Sequence, residues 1–346
     1  MAYARIKCGL GASLLVAILV FAPKPAQAQQ IWDGGSGNWS DLKWSGGNAW
    51  IPGSNAVFSA PGGGTVTAGA ESVGSISFAN TTGYTITGGT LTRSNASIVT
   101  SNNGGHVSTI DSVLAGSSAS IGLTKTASSI LSLGGTNTYT GNTTISAGWL
   151  RAVDGVGLPS NSRLVFDGGT FEGSGTFTRA NATSGAGTFG YNSGKNVNFS
   201  ANGGKLTIRI GNDATIAQTI NGQNAPAANT FRGLNFLGGS TGNAEIDFQN
   251  NLNMAGSTRV IDVQGGDGSG GFFVTLSGVI TNGGLQRQGT GGKVVLTGVN
   301  TYTLGTTLNV ANTTVLGNKS ALGTGTITSS SGTIQAGADL SGADKI

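Results

Sequence analysis

From Trp32 onward, short runs of alternating apolar and polar residues are separated by turn clusters. Across Val73 to Phe78, the residues Val73, Ser75 and Ser77 take one side, and Gly74, Ile76 and Phe78 the other. Tyr84-Thr85-Ile86-Thr87 is followed by Gly88-Gly89 and then by Thr90-Leu91-Thr92. Period-2 alternation rich in β-branched and aromatic residues, bounded by Gly, Asn and Ser, is the strand signal. Past the first 28 residues no segment carries a sustained 3.6-residue apolar stripe. The predicted strands are short, about 3 to 6 residues. The chain reads as all-β.

A long internal repeat turns this pattern into an architecture. Ile130-Leu131-Ser132-Leu133 leads into Gly135-Thr136-Asn137-Thr138-Tyr139-Thr140-Gly141-Asn142-Thr143-Thr144. The second copy runs from Val294-Val295-Leu296 through Gly298-Val299-Asn300-Thr301-Tyr302-Thr303 to Gly305-Thr306-Thr307. Asn137 and Asn300 are 163 positions apart. Upstream, Leu123-Thr124-Lys125 matches Leu285-Gln286-Arg287, and downstream Gly169-Thr170-Phe171 matches Gly332-Thr333-Ile334.

A strand this short cannot bury its inward side chains alone, but stacked coils bury them in one column. The spacing predicts a β-solenoid of roughly 20- to 25-residue coils. About 14 such coils would stand on the order of 65 Å tall. Leu131, Leu133, Ile145, Leu150, Leu164, Phe166, Phe171 and Phe177 are the expected inward positions. The motif is weakest between residues 179 and 260, where irregular coils are expected.

These residues resemble the autotransporter-associated β-strand repeat, also called the passenger-associated transport repeat. Its Leu-x-Lys strand, Leu-x-Leu strand and Gly-x-Asn-Thr-Tyr-Thr-Gly-x-Thr-Thr run correspond to Leu123 to Lys125, Leu131 to Leu133 and Gly135 to Thr144. Ile145 and Gly148-Trp149-Leu150 complete the first copy. The second copy departs from the pattern at an inserted Leu304 and at Asn312, which stands where the family has glycine. The resemblance implies a right-handed parallel β-helix passenger, exported across an outer membrane with the help of a β-barrel translocator. It implies no particular activity. Neither such a barrel nor a polar cap follows the repeats before Ile346, which leads to the expectation of a truncated reading frame or a passenger served by a partner.

The first 28 residues read as a targeting segment. Arg5 and Lys7 precede an apolar run from Leu10 to Ala22, Pro23 ends it, and Ala26-Gln27-Ala28 supplies a small-x-small cleavage site. The run is shorter than the ~20 residues of a spanning helix. Cleavage after Ala28 is expected, leaving residues 29–64 as a Trp-rich capping region. Residues 65–346 would then be the repeat region, with its copies near 123–171 and 285–334.

Cleavage also changes the charge. Of 18 basic residues, Arg5, Lys7 and Lys24 leave, while all 14 acidic residues stay, so the mature chain is close to neutral. No basic run remains, and the electrostatic footprint of nucleic-acid binding is missing. The single cysteine leaves as well, so stability has to come from burial and backbone pairing rather than disulfides.

Candidate chemistry is sparse. Glu245 and Asp247 share one strand face by alternation, with Asp262 and Asp267 following. A glycosidase needs a carboxylate pair held about 5 to 10 Å apart, and solvated outward side chains are the simpler expectation. His106, the only histidine, follows Asn102-Asn103-Gly104-Gly105 and reads as a loop residue. Gly265 to Gly271, with Asp267 inside it, lacks the spaced second aspartate of a calcium turn. No catalytic, cofactor-binding or metal residue is assigned. Four of the five tryptophans, Trp32, Trp39, Trp44 and Trp50, cluster together. They could stack on sugar rings or close the end of an apolar column, and closure is the reading preferred. The expected function is a secreted or surface-displayed structural and adhesive scaffold, not an enzyme. The alternatives are a carbohydrate-active β-helix enzyme and a glycan-binding module.

Overall fold

The computed structural model of the chain describes residues 28–79, 82–100, 106–238, 244–265, 271–309 and 313–337. The targeting segment up to residue 27, Asp267 and Asn312 lie outside the described residues. All strand pairs of the described residues are parallel, and their coils stack into a β-solenoid of about 13 turns.

Three hydrogen-bonded ladders climb the stack. The first contains Gln29–Ile31, Asn55–Phe58, Ile76–Phe78, Ser97–Thr100, Leu123–Thr126, Thr143–Ile145, Leu164–Phe166 and Phe189–Tyr191. The second passes through Val107–Ile110, Ile130–Leu133 and Trp149–Ala152 and continues to Thr306–Leu308 and Ile327–Ser329. The third is clearest in the upper coils, through Glu245–Phe248, Phe273–Leu276, Lys293–Leu296, Thr313–Leu316 and Thr333–Ala336. Each strand offers alternate side chains to the interior, as a pleated strand must. All eight expected inward residues are buried there.

The turn length is not constant. Arg151 and Glu172, neighbours on successive coils, are 21 residues apart. Asn198 and Asn235, also neighbours, are 37 apart. This long turn helps explain why the stack holds fewer coils than the expected number. Here chain order and stacking order also part company. Phe189 sits on the Leu164 strand, yet the next residue up the ladder is Asn181, from earlier in the chain. Asn181 then accepts from the Asn229 amide. Thr230 pairs with Thr219, and Gln218 pairs with Leu252. The chain thus steps backward twice within the segment that sequence marks as irregular.

The irregular segment has a consequence for the repeat. Lys125 lies in the first ladder, paired with Ile98 and Ile145. Its counterpart Arg287 lies in the second, paired with Ile261 and Leu308. Likewise Leu131 belongs to the second ladder and Val294 to the third. The second copy of the motif is therefore turned by one face relative to the first. A coil whose three sides are alike in strand geometry accepts the motif in either phase.

Backbone hydrogen bonds that join consecutive coils without detour open only when a coil-to-coil interface opens, whereas those on long excursions open locally. Hydrogen–deuterium exchange should therefore be fastest across residues 179–233 and slowest in the coils between 123 and 171. Uniform protection across both would contradict the irregular stacking.

Candidate functional site

The recurrent motif is the first candidate, and its side chains are committed to the stack. At the corner after the second strand the backbone leaves the ladder, and buried amides and carbonyls need other partners. Asn137 supplies them: its Oδ1 accepts from the Leu114 amide below at 2.7 Å, and its Nδ2 donates to the Gly157 carbonyl above at 2.7 Å. Asn300 does the same between Ile280, at 2.7 Å, and Ala321, at 2.6 Å. Tyr139 points inward and its hydroxyl meets Thr143 Oγ1 at 2.9 Å; Tyr302 meets Thr306 Oγ1 at 2.5 Å. The Thr143 hydroxyl is also 2.8 Å from Ser162 Oγ on the next coil. Gly141 lies where successive coils almost touch, and a Cβ there would fall 2.6 Å from the Ile121 carbonyl carbon. The inserted Leu304 of the second copy bulges outward, 58% exposed, and Gly305 after it takes a φ of +91° that favours glycine.

The basic residue of the Leu-x-Lys strand has an equally specific role. Lys125 is wholly buried, and its ammonium donates to the carbonyls of Thr126 at 3.0 Å, Ala127 at 2.5 Å and Ala147 at 3.0 Å. Arg287 reaches the carbonyls of Gly289, Gly291 and Gly292 in the same way. Sequence reasoning missed a third case, Arg93, which donates to Ala96 O and lies over the Tyr139 ring at 5.1 Å. The signal was present, since Leu91-Thr92-Arg93 spells the same Leu-x-basic strand. Burial lowers all three, Lys125 to about 7 and Arg93 and Arg287 to about 10. The aliphatic stems line the column while the polar heads bind turn carbonyls.

The carboxylate candidates do not gather. Glu245 and Asp247 are on the third ladder, and Asp262 is on the second. Lys205 Nζ lies 2.7 Å from Glu245 and 3.5 Å from Asp247, and this contact with Glu245 first, then Asp247, raises the lysine. Asp247 is 8% exposed; its Oδ1 accepts from Ser277 at 2.5 Å and its Oδ2 from Gln249 at 3.0 Å. Lys205, Ser277 and Gln249 thus engage both Asp247 oxygens. His106 is exposed. Among the described residues no group of three His, Cys, Asp or Glu could hold a metal ion.

The tryptophans are core residues. Trp32, Trp39 and Trp44 are fully buried, with ring centroids 4.9 to 5.1 Å apart along the chain of contacts, and Trp44 lies 5.7 Å from Phe58 of the next coil. Trp32 and Trp44 donate their indole N–H groups to Gly35 O and Trp39 O, both at 2.9 Å. Three of the four rings thus have no free face for a sugar. Trp50 is partly buried against them.

Fold and side-chain roles together define a parallel β-solenoid whose recurrent motif serves stacking. Among known proteins the chain is similar to the Adhesin BmaC autotransporter of Brucella suis biovar 1 (strain 1330), with 35% identity over 187 residues. That alignment covers 48% of this chain and 5% of the relative, so the chain spans only a small part of that protein. No family model and no solved structure matches the chain.

If Lys125 serves its turn carbonyls, Lys125→Arg should be tolerated, because Arg287 fills the equivalent place. Lys125→Met keeps the stem but strands the acceptors, which costs about 1–3 kcal/mol. Chemical denaturation of both variants checks this; equal stability of the two would remove the ammonium from the account.

Proposed function

We propose that this chain is part of an autotransporter-type passenger, built of the autotransporter-associated β-strand repeat. In this reading the signal peptide is removed after Ala28, and an outer-membrane β-barrel translocator outside residues 1–346 delivers the rest. The product is a secreted or surface-displayed structural and adhesive scaffold without catalytic activity. Residues 29–64 close one end of the apolar column with the tryptophan cluster, and residues 65–346 form the repeats.

The observation that carries this reading is the commitment of the motif. Lys125, Asn137, Tyr139 and Thr143 spend their polar atoms within and between coils of the stack, so the conspicuous residues build length rather than chemistry. A column stabilised coil by coil needs no disulfide, which suits a chain that crosses a membrane unfolded and folds outside. The similarity to an adhesin autotransporter supports the adhesive role. Other cells and surface glycans are the partners this reading names; nucleic acid is not.

The competing reading, a carbohydrate-active β-helix enzyme, rests on Glu245 and Asp247. Two assays separate the readings. Displayed through an outer-membrane barrel on a non-adherent bacterium, the chain should raise attachment to host-cell monolayers several-fold over the barrel alone, and attachment at the barrel-only level would contradict the adhesive role. Release of reducing ends from polysaccharides, abolished by Glu245→Gln or Asp247→Asn, would establish the enzyme instead.

A further inference from the structure

The irregular coils leave a groove on the outer surface of the second ladder. It holds about 340 Å³ and adjoins a second opening of about 300 Å³ that shares Asp262 and Gln288 with it. The floor is a column of outward side chains in strict register. Asn235 pairs with Asp262, and Asp262 with Gln288. Such rungs repeat every ~4.8 Å up a parallel stack. Arg232 and Arg259, both from segments around the long excursion, line the first opening with them.

The polar groups here are held but not used up. Arg232 donates Nε to Asn224 Oδ1 at 3.0 Å and Nη1 to Asn196 Oδ1 at 2.8 Å, which fixes its guanidinium. Arg259 is anchored through Nε to the Met254 carbonyl at 3.2 Å. Asp262 takes one bond on Oδ2, from Gln264 at 3.0 Å. Its Oδ1 is buried, so Oδ2 is the oxygen left to a ligand.

We propose that this groove binds a carboxylate-bearing saccharide. The two guanidiniums outnumber the single carboxylate, so the groove favours an anion, and planar forks suit a carboxylate. A sugar hydroxyl donates to Asp262 Oδ2, which keeps acceptor capacity beside its bond from Gln264, and the amides of Asn235 and Gln288 serve further hydroxyls. A bare sulfate would meet Asp262 with like charge and no donor. The rungs along the coil axis match a chain ligand that offers hydroxyls at regular intervals. The proposal rests on the adhesive reading and gives it a ligand class and a place.

Calorimetry on the exported chain tests it, with trigalacturonic acid as the probe and maltotriose and inorganic sulfate beside it. Trigalacturonate should bind, and the other two at least tenfold more weakly. Arg232→Gln and Arg259→Gln should each weaken binding about 10- to 100-fold, the range for a lost bond to a charged group. Lys205→Gln, on another ladder, should leave it unchanged. Thermal melts that match the parent show that the arginine variants remain folded. No binding of trigalacturonate, equal binding of maltotriose, or indifference to both arginine substitutions in folded protein overturns the proposal. The attachment assay keeps the two readings apart. Attachment by the displayed chain that survives both arginine substitutions removes the groove and leaves the adhesive role. Trigalacturonate binding without any attachment does the reverse.

Discussion

Backbone polar groups at the corners of each coil are the constraint on which the structure depends. Along the strands the parallel ladders pair amides and carbonyls with the coil above or below. At the corners the chain turns and the ladders stop, yet the corners border an apolar column where water is scarce. An unpaired group there would cost about 1–3 kcal/mol, and the loss recurs at every coil. The chain meets this with side chains that imitate backbone. Asn137 and Asn300 each present one acceptor and one donor to opposite neighbours, as a peptide group within a strand does. Lys125 gathers carbonyls from the turns of two successive coils, and Arg287 several carbonyls of one turn, each onto one side-chain head.

This solution is local to a coil, and that explains why the motif occurs in two phases. Nothing in the Asn or Lys contacts refers to a particular face of the solenoid; they need only a coil below and a coil above. The turn of one face between the copies is taken up by residues 179–233, where the chain reverses its stacking order twice. The same excursion raises the walls of the groove that holds Arg232 and Arg259. Regular coils give the molecule length, and the irregular ones give it a concave surface.

Much of the fold was legible in the sequence. Alternation identified the strands and placed Leu131, Ile145, Phe166 and Phe177 inward, because a pleated strand leaves no other option. The weak motif between residues 179 and 260 foretold the irregular coils. The phase of the second copy was not legible, since a strand reads the same on any face. The role of Lys125 was hidden too: a basic residue in a strand suggests an exposed position, and only the turn carbonyls reveal why it is buried. The Arg232, Arg259 and Asp262 groove joins residues from coils whose order in space differs from their order in the chain. Glu245 and Asp247 were placed correctly on one strand face, but their clamp, Lys205, comes from a neighbouring coil that alternation cannot identify.

The central claim is that the motif asparagines hold successive coils together irrespective of the face they occupy. Equilibrium denaturation of Asn137→Ala and Asn300→Ala, singly and combined, tests it most directly. Each substitution strands an amide of the coil below and a carbonyl of the coil above, so each should lower stability by about 1–3 kcal/mol. At this separation the two losses should add in the double variant. Stabilities within about 0.5 kcal/mol of the parent would show that the corners are satisfied without these side chains, and would contradict the account.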